Sequence, residues 1–461
     1  MSYIGHSFVW PADYNWFPVT EIPQFRQQHS ENTSLIYPWF LSMWAIGAFD
    51  RATPNAYNEA ESDTMHPKES FKEIVKWKLI DIQYPNPVAR EKAIKSGHFI
   101  PENNLPLGVH AYKHRIFVSL PKWKEGVPIT LGVIGKNELF SPAIKPYPDW
   151  SWHLADQCQG LTSVFRMDID TCNRLWVLDS GVVDAENTVN QLCPPQILIF
   201  NLETDKLVWR YTVPTDQSPD SSLLSNIVVE ILNDDCVNAY AYLGDVFRYG
   251  LIVYSYKMNR SWRLTHSYFY PDPLASDYSL DGIQFQWVDG LFGMALSTPD
   301  YEGNRLLYFH PLSSYREFAV PTWVLRNESL GFSMNQFFRI IGDARANDSA
   351  HSTGSAMDRN GVLFYNLLSK SAIGCWNSKT GEYSAMTQGL LDQNYETLSF
   401  PNDLRVDLEE EQSVWVLSNR LHRFLYDRLD PNDVNFRVLA ANVKKIVKGT
   451  VCEQGTFESF K

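Results

Sequence analysis

The chain has 461 residues, 44% of them hydrophobic and 20% charged, so it can bury a sizeable core and is not globally disordered. Forty Lys and Arg against 53 Asp and Glu leave a formal charge of −13, which argues against a dedicated nucleic-acid binder with a basic face. No apolar run is long enough to read as a membrane span.

In chain order, residues 1–68 are rich in Pro, Asn and Ser and read as an N-terminal extension that wraps or caps the rest of the chain. One apolar patch at 38–49 suits a short helix or strand. Residues 1–20 hold Trp10, Pro11, Asp13 and Trp16 instead of a basic segment and an apolar run. The start therefore reads as a mature chain, its signal peptide removed and an initiator methionine added. Residues 84–99, with Pro87 and the stretch KAIKSG, predict one short helix ending near Gly97. Apolar or aromatic runs then alternate with turns. HRIFVSL (114–120), RLWVLDSG (174–181), QILIFNL (196–202) and LVWRYTV (207–213) read as strands. So do NAYAYLGD (238–245), GLIVYSY (250–256), SWRLTHSYF (261–269), GLFGMALS (290–297) and NRLLYFHPL (304–312). REFAVPT (316–322), GVLFYNLL (361–368), SAIGCWN (371–377), SVWVLSNR (413–420), HRFLYDR (422–428) and NFRVLA (435–440) complete the series.

Comparable strands centre near residues 117, 177, 241, 294, 364 and 416, a degenerate repeat of about sixty residues. One such unit cannot cover both faces of its sheet, but radial stacking can. The expectation is an all-β chain: a six-bladed β-propeller over 69–445, the N-terminal extension before it, and a C-terminal tail over 446–461. Two β-sandwich domains are the alternative, but they leave the common order of elements in each unit unexplained.

The six cysteines are Cys158, Cys172, Cys193, Cys236, Cys375 and Cys452, with no CxxC pair. Four lie within 158–236, where at least one local bridge is expected. Sequons stand at Asn32, Asn259, Asn327 and Asn347. Together these features favour a secreted glycoprotein over a cytosolic protein with six buried thiols.

Dinucleotide, phosphate-loop, zincin and nucleophile-elbow motifs are missing. His110 and His114 sit in or beside one predicted strand, VHAYKHRIFV, where roughly 13 Å would separate them, too far to share an ion. His153 reads as part of a packed aromatic corner and His310 as a hydrogen-bonded turn residue. Candidate channel contacts are Phe285, Trp287 and Asp289 of FQWVDG, Phe364 and Asn366 two apart on one strand face, Asn402 and Asp403 of PNDL, Asp245 and Asp179. Such Asp and Asn residues also close turns. An aromatic wall with a carboxylate suits a small aromatic amine or a quinone-like molecule, held by stacking and by the charge. The same set suits a tautomerase, with Asp289 or His110 as the base. Calcium held by Asn402, Asp403 and Asp245 is a weaker third reading; no metal or other cofactor is assigned.

The motifs IPENNLPLGV (100–109), LTSVFRMDID (161–170), CNRLWVLDSGVVD (172–184), CPPQILIFNLETDKL (193–207), DVFRYGLIVYSY (245–256), MDRNGVLFYNL (357–367) and FPNDLRVD (400–407) carry a resemblance. The chain resembles the insect Yellow and major royal jelly protein family from about 71 to 440, and is most similar to Yellow-type members. The resemblance implies a secreted six-bladed propeller linked to melanin pigmentation. It implies either binding of biogenic amines in the central channel, dopachrome conversion to a dihydroxyindole, or an extracellular partner-binding role without a small ligand. It places the pocket near Phe285, Trp287, Ser355, Phe364, Asn366 and Asn402. In a propeller, a Cys375–Cys452 bridge would clamp the C-terminal tail.

Overall fold

A computed structural model describes residues 69–138, 140–154, 158–184 and 189–453. The expectations for residues 1–68, including the element at 38–49 and the sequon at Asn32, lie outside the described residues. Among those described, six four-stranded antiparallel sheets stand as the blades of a propeller. Blade 1 runs Gly108–Tyr112, Arg115–Ser119, Leu131–Gly135 and Lys145–Pro146, from channel to rim. Blade 2 is Val164–Ile169, Arg174–Asp179, Gln196–Asn201 and Lys206–Thr212. Blade 3 is Leu224–Ile231, Ala239–Asp245, Gly250–Ser255 and Arg260–Thr265. Blade 4 is Leu291–Leu296, Leu306–Pro311, Phe318–Pro321 and Arg339–Ile340. Blade 5 is Ser355–Met357, Val362–Leu367, Ala372–Asn377 and Gln388–Gln393.

Blade 6 takes Pro401–Val406, Ser413–Ser418 and Phe436–Asn442 from the C-terminal part and its outer strand, Lys72–Trp77, from the beginning of the described chain. Each inner strand packs against the next and the sixth against the first, so the ring closes. Closure leaves only short rim edges unpaired.

The second strand of each blade is apolar because neighbouring blades cover both its faces. In blade 2, Leu175 and Val177 point into one interblade core while Trp176 and Leu178 point into the next. Phe364 follows the same rule in blade 5. It packs with Cys375, Leu404 and Val416 between blades 5 and 6, so it faces a core and not the channel.

Three strand expectations are corrected. HRFLYDR is a short helix, Leu421–Tyr426, since six residues of mixed pattern do not separate the two periods. Residue 294 lies on an inner strand, whereas 117, 177, 241, 364 and 416 lie on second strands, so the fourth repeat is out of phase. VHAYKHRIFV is not one strand but a hairpin that turns at Lys113 (φ 50°) and His114, so the 13 Å spacing does not apply.

All six cysteines are paired: Cys158–Cys193, Cys172–Cys236 and Cys375–Cys452. The first closes against Gly181, where an added Cβ would fall 1.9 Å from the Cys193 carbonyl and where φ is +68°. The second joins the first turns of blades 2 and 3, and the third ties blade 5 to the segment after the last helix. Among the described residues no helix is long and apolar enough to cross a membrane.

Candidate functional site

Two arginines on inner strands lie across the channel. Arg166 of blade 2 donates through Nη2 to the Thr353 carbonyl of blade 5 (2.8 Å) and the Asn402 carbonyl of blade 6 (2.6 Å). Arg405 of blade 6 donates to Asn226 Oδ1 of blade 3 (2.8 Å). Asp403 stands between them, its Oδ1 3.4 Å from Arg166 Nε and 3.5 Å from Arg405 Nε, while its Oδ2 accepts from the Val109 amide (3.0 Å). Asp168 continues the chain, 3.9 Å from Arg405 and 3.3 Å from His110 Nε2. Burial holds the Arg166 guanidinium down at about 10, and its face lies 4.6 Å over the Phe292 ring. This belt divides the channel into two chambers.

The chamber at the start of the inner strands has a volume of about 220 Å³. Trp123, Phe165, Phe247, Trp287, Phe292, Phe400 and Tyr426 wall it, with Thr353 and Asn402 as polar points and Asp289 as its carboxylate. Asp289 precedes the inner strand of blade 4. Its backbone is pinned in both directions by Ser313, whose Oγ accepts from the Asp289 amide (3.1 Å) and whose amide donates to the Asp289 carbonyl (3.0 Å). The carboxylate is met by no donor or cation among the described residues, and desolvation pushes it up to about 7.

A hairpin, Asp277–Leu280 with Ile283–Gln286, stands beside the short helix at 421–426 at the same end. Phe285 stacks on Tyr278 (5.1 Å) and Tyr426 (4.9 Å), and so backs the wall without lining it.

The second chamber, about 210 Å³, lies at the other end of the inner strands and is the more polar of the two. It is lined by His110, Asp168, Glu230, Arg305, Ser355 and Arg405 among others. His110 and Asp289 thus face different chambers, and the structure does not bring the two candidate bases together. Ser355 sits with His110. Asn366 donates to Thr353 Oγ1 (2.8 Å) and supports the belt. Trp287, Asp289 and Asn402 do share the aromatic chamber.

Asp245 closes a turn: it accepts from Ser222 Oγ (2.7 Å), the Leu223 amide (3.1 Å) and Arg263 (2.9 Å). Asp179 does the same one blade earlier, for the amides of Thr162 and Ser163 (2.7 Å each). The candidate calcium oxygens are therefore dispersed, and among the described residues no group of three or more His, Cys, Asp or Glu converges to hold a metal ion. His310 ends a strand, fully buried between Glu317 (2.8 Å) and the Ser352 carbonyl (3.1 Å). His153 is buried with its Nε2 3.2 Å from the Tyr147 carbonyl, and burial lowers it to about 3.

Sequence reasoning missed Arg166, Arg405 and Asp168. Their alternation, R-M-D in one inner strand and D-L-R in another, was the available signal.

Fold and cavities together define a six-bladed propeller with a plugged channel and an aromatic chamber at one end. Residues 162–452 match the family model described as Major royal jelly protein, and the chain belongs to that family. It is 42% identical over 405 residues to dopaminechrome tautomerase of Drosophila melanogaster, covering 86% of this chain and 87% of that one. It is 40% identical over 382 residues to Protein yellow of the same organism, covering 82% and 70%. A solved virginiamycin B lyase from Staphylococcus aureus aligns over 74% of this chain and 96% of its own with a TM-score of 0.39 at 10% identity, too loose a likeness to bear on function.

Proposed function

We propose that this protein acts outside the cell on a catechol-derived aminochrome, isomerising it to a dihydroxyindole in the aromatic chamber on a route to melanin. The observation that carries this reading is Asp289, an unpaired carboxylate held near 7 inside an aromatic cavity. A base is most useful when its pKa lies near the working pH. The named activity of the 42% identical relative supports the same chemistry. Three disulfides support an oxidising compartment.

In such an isomerisation, protons leave the saturated ring carbons and arrive on the quinone oxygens. The electron pairs of the broken C–H bonds enter the new aromatic ring, so no external oxidant or reductant is consumed. Stacking between aromatic walls holds the flat substrate. Asp289 takes a ring proton, and Asn402 or Tyr426 offers a donor to an oxygen that gains charge. The test is the decay of freshly made dopaminechrome with purified protein. Acceleration that scales with protein and disappears in Asp289→Asn supports the reading, and a rate equal to the spontaneous one removes it.

The second reading is binding of a small aromatic amine without turnover. Asp289 favours it too, because an unpaired carboxylate in an aromatic box is the complement of an ammonium group. Calorimetric titration with dopamine and serotonin separates the two.

A further inference from the structure

Asn259 lies in the exposed turn between the third and fourth strands of blade 3, in a left-handed conformation (φ 48°) that asparagine tolerates. It begins the sequon Asn259-Arg260-Ser261. Its amide oxygen is held by two aromatic donors: Trp209 Nε1, from the rim strand of blade 2 (3.1 Å), and Tyr254 Oη (3.2 Å). Its Nδ2, the atom an N-linked sugar is attached to, has no acceptor within the described residues. Holding a planar amide through its oxygen restricts where the nitrogen can lie, and here the oxygen is 3.1 Å from the indole nitrogen.

Trp209 is 39% exposed and stands edge-to-face against Tyr256 (6.1 Å). The other two described sequons lack this setting. Asn327 Oδ1 accepts from Ser329 within its own tripeptide, and Asn347 lies in an exposed turn with no aromatic donor on its amide.

We propose that Asn259 carries an N-linked glycan whose first N-acetylglucosamine packs its apolar C–H face on Trp209, joining the rims of blades 2 and 3. A pyranose presents such a face to an aromatic ring, and burying it removes exposed indole from water. The sugar then extends a contact that already crosses the two blades. The proposal rests on the secretory passage contained in the proposed function, but it fails separately from it: neither occupancy at Asn259 nor the melting behaviour depends on aminochrome chemistry.

The experiment starts from full-length protein secreted by insect cells. Glycopeptide mass spectrometry reads occupancy at Asn259. Thermal unfolding is then compared before and after amidase removal of the glycan, in wild type and in Trp209→Ala. The amidase converts asparagine to aspartate, which suits the same left-handed turn. The expected result is a glycosylated Asn259 peptide and a fall in Tm of roughly 1–3 °C on deglycosylation of wild type, absent or halved in Trp209→Ala. An Asn259 peptide found bare, or an equal fall in both proteins, overturns the proposal. Should Trp209→Ala fail to be secreted, Trp209→Leu, which keeps an apolar side chain without the ring, serves for the same comparison.

Discussion

Trp287 Nε1 donates to Tyr426 Oη over 2.6 Å, linking the segment before blade 4 to the short helix that follows the second strand of blade 6. Both side chains wall the aromatic chamber, so this bond fixes the distance between two sides of the same cavity. Tyr426→Phe keeps the ring and removes the bond. A neutral hydrogen bond contributes about 1 kcal/mol to the folded state, so the affinity for an aromatic amine is expected to fall less than about fivefold, through the loosened wall, and Tm by roughly 1–2 °C. Calorimetry checks the first and thermal unfolding the second.

Asp289→Asn is expected to reduce aminochrome isomerisation by about 10²–10⁴-fold, the range of a lost general base. In wild type the rate should rise with pH through about 7 and level off above, because the base acts ionised. Stability follows the opposite sense. The folded carboxyl sits at about 7 against an ordinary value of 3.8, so the folded state holds the proton more tightly. That contribution is complete below pH about 4, declines as pH rises to about 7, and is gone above it. Melting curves of wild type and Asp289→Asn should therefore separate in favour of the variant between pH 4 and 7.

His110→Gln should leave isomerisation within about twofold of wild type, since His110 faces the other chamber beside Asp168. A loss as large as that of Asp289→Asn would move the chemistry to the polar chamber.

Asp403→Ala leaves Arg166 and Arg405 facing each other without their shared carboxylate. The expected cost is about 3–5 kcal/mol, the range for stranding a buried charge. Arg166→Met should cost less, because Asp403 keeps Arg405 at 3.5 Å. Denaturant unfolding of the two variants gives the order directly.

Cys375→Ser with Cys452→Ser opens the bridge between blade 5 and the segment after the last helix. About 2–4 kcal/mol of stability should be lost, read by thermal unfolding.

The second strands were legible in the sequence because they lie between two blades and are apolar on both faces, as in Arg174–Asp179. Apart from the wholly apolar Leu291–Leu296, the inner strands were harder to read, because the channel replaces one apolar face with charge. Val164–Ile169 reads V-F-R-M-D-I and Pro401–Val406 reads P-N-D-L-R-V, and in both the charged positions are the ones that meet in the belt. Trp287, Asp289 and Asn402 were found together because aromatic and polar residues share short segments there. Phe364 was misplaced because alternation assigns a residue to a face without saying which neighbour that face meets.

The three disulfides have a chemical consequence beyond rigidity. Quinones and aminochromes are electrophiles, and the group in a protein that traps them most readily is a free thiolate. Every cysteine here is bonded to another cysteine. In the setting proposed for it, the protein thus offers its electrophilic substrate no thiol to arylate, and leaves only slower-reacting amines and imidazoles within its reach.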